Sequence, residues 1–405
     1  MRRLAVYFRI AWRMAAYGLL LAFWGVFLVA FVAHMLPRFA YLAGAPIGAD
    51  APCQKPECDF SVFWPAGILA RRHDFATLYS GTAFIHAVNG MLPPNPNIET
   101  FFYPPTMLLP LAAISHLPFE WGAFAWMFGG VALGAALLRL AGMRWPIIAA
   151  GLLSPAALLS TEIAQFGVLG GAVVLSGLML AERRPALGGG LLGLLTTKPQ
   201  IGALVPFVCL ARRNWRALAA FCFVGALLVG ASIWLFGSGV WFSYLTLGRA
   251  ETLHIILAPF ERDTAQGWGV SVYWMLRSFG LGASPAMIIQ AACAFAAASA
   301  LIWLHRRRLP SEIFVSLVVY LSLLATPYGY TSDMVAYSLV LAEAARRRGW
   351  RIDMLDTALW LWPGFCLVVS ESTGLVLTPL FVALALGRTA LRARAAVLPP
   401  RPTGA

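Results

Sequence analysis

Long apolar stretches separated by short polar or arginine-rich segments make up most of the 405-residue chain. The first stretch, residues 15–36, is long enough to cross a bilayer, since a spanning helix needs about 20 apolar residues. It has no small-residue cleavage site, so we interpret it as a signal-anchor helix rather than a signal peptide. Similar stretches recur as far as residue 386, one of them a single span predicted at residues 146–163. Together they predict an all-α polytopic membrane protein with roughly twelve membrane segments.

Residues 186–211 depart from this pattern. They lie between arginine clusters at 183–184 and 212–216, so both of their ends are predicted on the cytoplasmic side. The segment has only 26 residues, whereas two full spans need about 40 residues. We therefore predict two short helices that are broken at Lys198-Pro199, because a helix break at membrane depth is tolerated where the freed backbone lines a polar cavity.

The longest segment that cannot be a plain span is 53–105, between the first two apolar stretches. Asp59 begins an aromatic-rich run in this segment, which predicts a short amphipathic helix at the membrane surface with a carboxylate at its N-terminal end. Unpaired N–H groups there stabilise the carboxylate as an anion. The pattern leaves two interpretations open: a helix cap, or an acid that takes part in chemistry.

Two cysteines, Cys53 and Cys58, precede Asp59 in the same polar segment. If the segment faces an oxidising compartment, the pair is expected to form a small disulfide loop. Zinc binding is the alternative, but no further Cys or His pair completes a site. The spacing permits a disulfide without requiring one.

Composition and charge exclude a large soluble domain and a nucleic-acid-binding role. The chain is 60% hydrophobic and only 12% charged, against about 25% charged residues in soluble domains. The net charge is +13, but 22 of the 30 basic residues fall in short clusters on one predicted side of the membrane. That side is predicted to be cytoplasmic, with both termini, where arginines contact anionic lipids.

These patterns predict the domain organisation. We expect a single transmembrane domain over residues 1–395 and a flexible cytoplasmic tail over 396–405. Two extracytoplasmic loops are expected within the domain, at 38–105 with its interfacial helix and at 237–283. No internal repeat is visible, which argues against a repeat-built transporter.

Several polar residues that are unfavourable near lipid collect on the predicted outer side, and such residues suggest a functional site. The set suits group transfer from a lipid-linked donor: cationic side chains neutralise a lipid phosphate, a carboxylate accepts the proton of a hydroxyl, and aromatic loops stack on sugar rings. Its members are Asp59, Glu162, Gln165, Lys198, Arg277, Tyr330 and Asp333, with Arg71 and Arg72 as further candidates for the phosphate.

Most of these residues also have a purely structural interpretation. Lys198 could extend its ammonium towards the membrane surface, although the following proline argues against a plain helix position. Arg277 could anchor a lipid headgroup at the interface. Glu162 and Asp333 could each cap the helix that follows. The residues alone do not decide between these alternatives.

Ordered motifs give the chain a resemblance to a known family. They are DFSVFWPAG, FFYPPTMLLPLAAISHLP, AQFGVLGG, AERRPALGGGLLGLLTTKPQIGALVP, SVYWMLRSFG and TPYGYTSDM. Each motif is weak alone, but in this order they make the chain, from Asp59 to Ala342, similar to glycosyltransferase family 87, whose members have the GT-C membrane fold.

The resemblance implies an integral membrane glycosyltransferase in the bacterial inner membrane. It implies transfer of a hexose, commonly mannose, from a polyprenyl-phosphate donor to a lipid or glycan acceptor of the cell envelope on the extracytoplasmic face. Asp59 holds the position of the catalytic base and Lys198 that of the family lysine near the helix break. Attack opposite the leaving group inverts the sugar, and neither a cofactor nor a metal is expected.

The remaining site residues are expected to contact the sugar or the acceptor. Two departures from the family pattern matter: the turn at residue 165 has Gln where many members have an Asn-containing turn, and TPYGYTSDM contains no histidine, which some mannosyltransferase members carry near that position. The second departure leaves the sugar and the acceptor open. A lipid or lipid-linked-sugar translocase, or a non-catalytic partner in envelope assembly, is the alternative function, although a translocase has no need of a base at Asp59. The expected sugar- and acceptor-binding residues are Gln165, Glu162, Gln200, Tyr330, Asp333 and Tyr103.

Overall fold

The structure, a computed structural model, describes residues 2–42, 59–92, 99–262, 264–307 and 309–397. These residues form helices and turns without a β-strand among them, which confirms the all-α prediction. Cys53, Cys58 and all but the first two residues of the predicted tail lie outside the described residues. The disulfide and the tail therefore stay predictions.

The first half of the chain, through the predicted helix break, contains eleven of the described α-helices. In order they are α1 (Arg2–Leu42), α2 (Phe60–Arg71), α3 (Phe75–Tyr79), α4 (Gly81–Met91), α5 (Leu108–Ile114), α6 (Phe119–Leu140), α7 (Trp145–Leu152), α8 (Pro155–Glu162), α9 (Gly167–Arg183), α10 (Pro185–Gly193) and α11 (Val205–Ala211).

The second half adds nine described α-helices. They are α12 (Trp215–Phe236), α13 (Gly239–Ser243), α14 (Arg249–Leu257), α15 (Val272–Ser278), α16 (Ala283–Arg306), α17 (Ser311–Ala325), α18 (Val335–Arg347), α19 (Met354–Thr373) and α20 (Thr378–Val397).

Within the described part of the chain, four helices are long and apolar enough to cross a membrane. They are the segment Ile10–Pro37 of α1 and the whole of α6, α12 and α16, and most of the residues in each are not buried inside the protein. Four shorter apolar helical segments accompany them, at Pro105–Ile114, Pro185–Thr197, Pro199–Ala211 and Ser311–Ala325. The protein is thus a helical membrane protein, while the count of twelve segments and the GT-C fold stay predictions.

The structure corrects one predicted span, residues 146–163. It consists of two helices, α7 and α8, because the chain breaks before Pro155, which has no backbone N–H to continue α7. The Ser154 side chain accepts a hydrogen bond from the Ala157 N–H at 3.3 Å and so caps α8. Pro155 then occupies the first turn of α8, where a missing N–H is harmless.

The helix after Asp59 is present, but it does not lie on a surface as its sequence suggests. Ten of the twelve residues of α2 are buried. Gly67 permits this, since a Cβ atom there would lie 2.2 Å from the Leu111 carbonyl oxygen of α5. The aromatic side chains that we expected at the membrane interface pack instead on protein, with Phe63 against Tyr103 and Trp126.

Two large hydrophobic clusters hold most of the described helices together, and a small third one surrounds Tyr273 and Trp274 of α15. The larger is built around α9, α17 and α18, and the smaller around α2, α5 and the start of α6. The turn between α8 and α9 joins them, because Phe166 packs in the smaller cluster and Val168 in the larger. The predicted second outer loop is largely helical, since α13, a π-turn at Tyr244–Gly248 and α14 follow one another directly.

Candidate functional site

One cavity of about 660 Å³, here called the site cavity, lies where the two predicted outer loops meet the helix break. Both loops, the turn before α9, the break at Lys198 and the segment before α18 contribute to its walls. Its polar and aromatic lining residues are Asp59, Phe63, Glu99, Thr100, Phe102, Tyr103, Gln165, Lys198, Gln200, Tyr244, Thr252, Thr264, Trp268, Tyr328, Tyr330, Ser332 and Glu371.

Asp59 precedes α2 but its side chain makes no capping hydrogen bond. Its backbone N–H donates to the Ile163 carbonyl at 2.9 Å, which ties the start of α2 to the end of α8. Its carboxylate Oδ2 accepts a hydrogen bond from Gln165 Nε2 at 2.5 Å. The carboxylate therefore belongs to the site cavity and not to the end of its own helix.

The surroundings of Asp59 disfavour its charged form. Burial raises the pKa of its carboxyl to about 7, and the nearby Glu99 carboxylate acts in the same direction. The Lys198 ammonium and the Gln165 hydrogen bond partly oppose this rise. An aspartate with a pKa near neutrality is suited to accept a proton during a reaction.

Gln165 lies in a tight turn between α8 and α9. The residue before it, Ala164, has a positive φ of 55°, a conformation that costs of order 1–3 kcal/mol for a residue other than glycine. Gly167 follows Gln165 by two residues. A Cβ atom on Gly167 would lie 1.8 Å from the Ser332 carbonyl oxygen, so only glycine permits this contact. The turn is thus held against the segment before α18.

The predicted break at Lys198 is confirmed. After α10 the chain continues through two 3₁₀ turns, Leu194–Thr197 and Pro199–Gly202, before α11 begins. Lys198 stands between the turns with φ −144° and ψ 73°, and it lines the same cavity as Asp59. Lys198 and Asp59 therefore share one cavity.

Lys198 is paired with a carboxylate. Its Nζ lies 2.5 Å from Asp333 Oδ1, and each of the two side chains is only 1% exposed. The same Nζ donates to Gln165 Oε1 at 3.5 Å. The second oxygen of Asp333 accepts a hydrogen bond from the Tyr330 backbone N–H at 3.2 Å, so Asp333 also caps the turn before α18.

Three further expected residues, Tyr103, Gln200 and Tyr330, also line the site cavity. The Tyr103 hydroxyl contacts both ends of the Gln165 amide, at 3.2 Å from Oε1 and 3.0 Å from Nε2. Tyr330 stacks edge-on against Tyr328, with ring centroids 5.0 Å apart. These rings give the cavity the flat apolar faces on which a sugar can rest.

Two candidate residues, Arg277 and Glu162, do not line the site cavity. Arg277 donates to the Leu281 carbonyl at 3.1 Å and to the Ala258 carbonyl, so it fastens α15 to the end of α14. Glu162, at the end of α8, lies 3.4 Å from His34 of α1. Neither side chain is positioned to touch a molecule in the cavity.

The arginines that end α2 also lie away from the cavity walls. Arg71 contacts His116 Nδ1 at 2.6 Å and the Ser115 carbonyl at 3.3 Å. Arg72 is exposed and follows α2 as its C-cap residue. Among the residues that line the site cavity in the described part of the chain, Lys198 alone carries a positive charge.

Several cavity residues were missed by sequence reasoning. Glu99 stands two residues before the FFYPP motif, and that position was a usable signal because residues of the motif line the site cavity. Burial raises the pKa of the Glu99 carboxyl. Glu371, near the end of α19, has no such signal in the sequence. Trp268 lies three residues before the motif SVYWMLRSFG and Tyr328 lies within TPYGYTSDM, and both add aromatic surface.

A second space, the apolar cavity, adjoins the site cavity at Gln165. It has a volume of about 540 Å³ and runs between α5, α6 and the α8–α9 turn. Thr161 and Gln165 are its polar members, and the other lining residues are Pro110, Ala113, Ile114, Leu117, Ala125, Trp126, Met127, Gly129, Gly130, Leu133, Phe166, Val168 and Leu169.

Comparison with known proteins gives one match. The model of glycosyltransferase family 87 matches residues 101–327, a segment that includes Tyr103, Gln165 and Lys198. No curated protein and no solved structure matches the chain. Since the matched segment covers more than half of the sequence, this membrane protein belongs to glycosyltransferase family 87 and is a glycosyltransferase.

Proposed function

We propose that the enzyme transfers a hexose, with mannose as the expected sugar, from a polyprenyl-phosphate donor to a hydroxyl group of a cell-envelope acceptor. The observation that carries this proposal is the position of Asp59. Its carboxylate lines a site cavity large enough for sugar rings, and that cavity adjoins an apolar one at Gln165. Such a pair of spaces suits a donor that has a sugar at one end and a hydrocarbon chain at the other.

Asp59 is the proposed general base. It accepts the proton of the acceptor hydroxyl while that oxygen forms a bond to the anomeric carbon of the sugar. The bond between the anomeric carbon and the phosphate oxygen breaks on the opposite face, and the polyprenyl phosphate leaves with the bonding electrons. One glycosidic bond replaces one phosphate ester bond, and the configuration at the anomeric carbon is inverted.

The apolar cavity is proposed to hold the first isoprene units of the donor. Its walls are nearly all hydrocarbon or aromatic, with Gly129 and Gly130 leaving open space on the α6 side. Burying apolar surface there contributes roughly 25 cal/mol per Å². The donor phosphate would then lie near Gln165, between the two cavities.

Two groups supply positive electrostatic potential near Gln165, where the donor phosphate is proposed to lie. The first turn of α9 begins at Gly167, and helix N-termini attract anions. The Lys198 ammonium lies beside Gln165, although Asp333 neutralises much of its charge. We propose that both contribute to stabilising the departing phosphate. Arg277, Arg71 and Arg72 lie outside the cavity walls and are not part of this proposal.

The site cavity is proposed to open on the extracytoplasmic side of the bacterial inner membrane, with both termini in the cytoplasm. This proposal rests on the distribution of basic residues. For example, Arg183 and Arg184 at the end of α9 lie at the opposite end of that helix from Gln165. Arginines at the C-terminal end of α9 would interact favourably with the anionic lipids of the cytoplasmic leaflet.

The experiment is a transfer assay with purified protein, radiolabelled polyprenyl-phosphate mannose and mixed envelope lipids and glycans. The proposal predicts a labelled glycosylated product and release of polyprenyl phosphate in equal amounts. Movement of intact donor across a vesicle membrane without product would favour a translocase instead. Product formed only from a nucleotide-linked sugar would contradict the proposed donor.

A further inference from the structure

Four side chains form a continuous line of contacts that ends at the proposed base. Asp333 contacts Lys198 at 2.5 Å, Lys198 contacts Gln165 at 3.5 Å, and Gln165 contacts Asp59 at 2.5 Å. The four come from separate parts of the chain: the segment before α18, the helix break, the turn before α9 and the start of α2. No helix contains two of them.

The Gln165 amide has one chemically allowed orientation in this line. Its Oε1 faces the Lys198 ammonium and the Phe166 backbone N–H, the latter at 2.8 Å. Both groups are obligate donors, so only the carbonyl end of the amide can face them. The NH₂ end is thereby directed at Asp59, where a carboxylate can accept its hydrogen bond.

Lys198 is itself held in place by Asp333. A lysine with 1% of its side chain exposed does not stay charged without a partner, because an unpaired buried charge is strongly disfavoured. Replacing such a pair by apolar residues is often neutral or stabilising, so stability alone does not explain the pair. The pair contacts two groups outside itself: Asp333 accepts a hydrogen bond from the Tyr330 backbone N–H, and Lys198 donates one to the Gln165 side chain. The second contact leads towards Asp59.

We infer that Asp333, Lys198 and Gln165 form a positioning chain that fixes the Asp59 carboxylate and keeps it ready to accept a proton. The inference rests on the proposed function of Asp59 as the base. It gives Lys198 a role towards the base in addition to any role towards the donor phosphate. Gln165 and Asp333 become positioning residues instead of ligands for sugar hydroxyls.

The charges around Asp59 make this role measurable. Glu99, Asp333 and Lys198 act on it directly, and the Tyr103 and Tyr328 hydroxyls lie close enough to interact with its charge. The Lys198 charge lowers the pKa of Asp59, the Asp333 charge raises it, and the Gln165 hydrogen bond lowers it. Replacing different residues of the positioning chain should therefore shift the pKa of Asp59 in different directions: upwards for Lys198 and Gln165, and downwards for Asp333.

The test compares Lys198→Gln, Asp333→Asn and Gln165→Leu with the wild type. Two readouts are taken across pH: the transfer rate, and the modification of Asp59 by a water-soluble carbodiimide and an amine, quantified by mass spectrometry. The second readout reports the protonated carboxyl and requires no turnover. Gln200→Leu is the matched control, since Gln200 lines the cavity outside the chain of contacts.

The expected result is a shift of the labelling midpoint by about half a pH unit or more. Lys198→Gln and Gln165→Leu should move it to higher pH, Asp333→Asn to lower pH, and Gln200→Leu should leave it in place. Gln165→Leu keeps the buried ion pair, so it remains informative if the charge variants fail to fold. An active Asp59→Asn enzyme would overturn the proposed function, whereas the labelling shifts would still report the positioning chain.

Two outcomes would overturn the inference. In the first, the midpoints of the folded variants coincide with that of the wild type, and Lys198→Gln raises only the KM for polyprenyl-phosphate mannose. Lys198 would then be a phosphate ligand. In the second, all the shifts have one sign, which a general loosening of the cavity would produce.

Discussion

Lys198 and Asp333 form a buried ion pair of 2.5 Å although 135 residues separate them in the sequence. The pair joins the helix break between α10 and α11 to the turn that begins α18. Gly167 packs against the same turn, since it lies against the Ser332 carbonyl. Three segments that carry site residues are thus fixed to one another.

The first prediction concerns the stability of this pair. Asp333→Leu leaves a buried ammonium without its partner and should lower the free energy of unfolding by about 3–5 kcal/mol. The double variant Lys198→Met with Asp333→Leu should recover much of that loss, because neither charge remains. Thermal unfolding in one detergent compares the variants, and a double variant as unstable as the sum of the two single ones would contradict the account.

The second prediction concerns Gly167 at the start of α9. Gly167→Ala should disturb the turn that holds Gln165, because the new Cβ would lie 1.8 Å from the Ser332 carbonyl oxygen. We expect a lower unfolding temperature and transfer reduced at least about tenfold, equivalent to about 1.4 kcal/mol.

Gly190→Ala in α10 is the control for that substitution. A Cβ atom there meets only Val224 at 3.5 Å, and alanine is favoured over glycine in a helix by roughly 1 kcal/mol. The control should be as stable as the wild type or more so. Equal behaviour of the two variants would show that the close contact at Gly167 does not matter.

The third prediction concerns the apolar cavity. Gly130→Phe should fill the space beside α6, where a Cβ atom at residue 130 has no neighbour within 4 Å. The KM for a long-chain polyprenyl donor should rise about tenfold, or 1.4 kcal/mol, while a donor with one or two isoprene units should be affected less. Gly230→Phe on the exposed face of α12, which has equally open surroundings, is the control. Equal effects of Gly130→Phe on the long and the short donor would exclude the apolar cavity as the binding site of the polyprenyl chain.

The fourth prediction concerns pH. A general base must be unprotonated, and the pKa of Asp59 is raised to about 7, chiefly by burial. Transfer should therefore be near its plateau above this value and should fall about tenfold per unit as pH drops below it. Glu99→Gln should move the falling limb to lower pH, because the Glu99 charge contributes to the raised pKa. A rate that stays constant down to pH 5 would contradict this assignment.

Hydrophobic periodicity was sufficient to predict the helical membrane class. The break at Lys198 was also predictable, because the distance between two arginine clusters is set by topology and is too short for two full spans. Hydrophobic periodicity gave a wrong result at residues 146–163, where it predicted one span and the structure has the two helices α7 and α8. Ser154-Pro155 is a start signal for a helix, yet the apolar residues on both sides concealed it.

The burial of α2 could not be predicted from its own sequence. The pattern of aromatic and charged residues resembles that of an interfacial helix, and contacts with distant segments, among them the approach of α5 at Gly67 and of Trp126 at Phe63, remove it from the surface. The partners of Lys198 and Arg277 were hidden for a similar reason. A sequence shows which side chains need a partner, whereas the fold decides that Lys198 meets Asp333 and that Arg277 meets two backbone carbonyls.

The most direct test of the central claim is the transfer rate of Asp59→Asn with polyprenyl-phosphate mannose. Asparagine keeps the size of the side chain and removes its ability to accept a proton. Asp74→Asn is the matched control, since Asp74 caps α3 through the Thr77 N–H at 3.2 Å and lies outside the site cavity, and asparagine caps helices as well as aspartate does. The account predicts a folded Asp59→Asn protein whose transfer falls by about 10²–10⁴-fold, and an Asp74→Asn protein close to the wild type. An Asp59→Asn rate within about threefold of the wild type, where loss of a base costs at least a hundredfold, would contradict it.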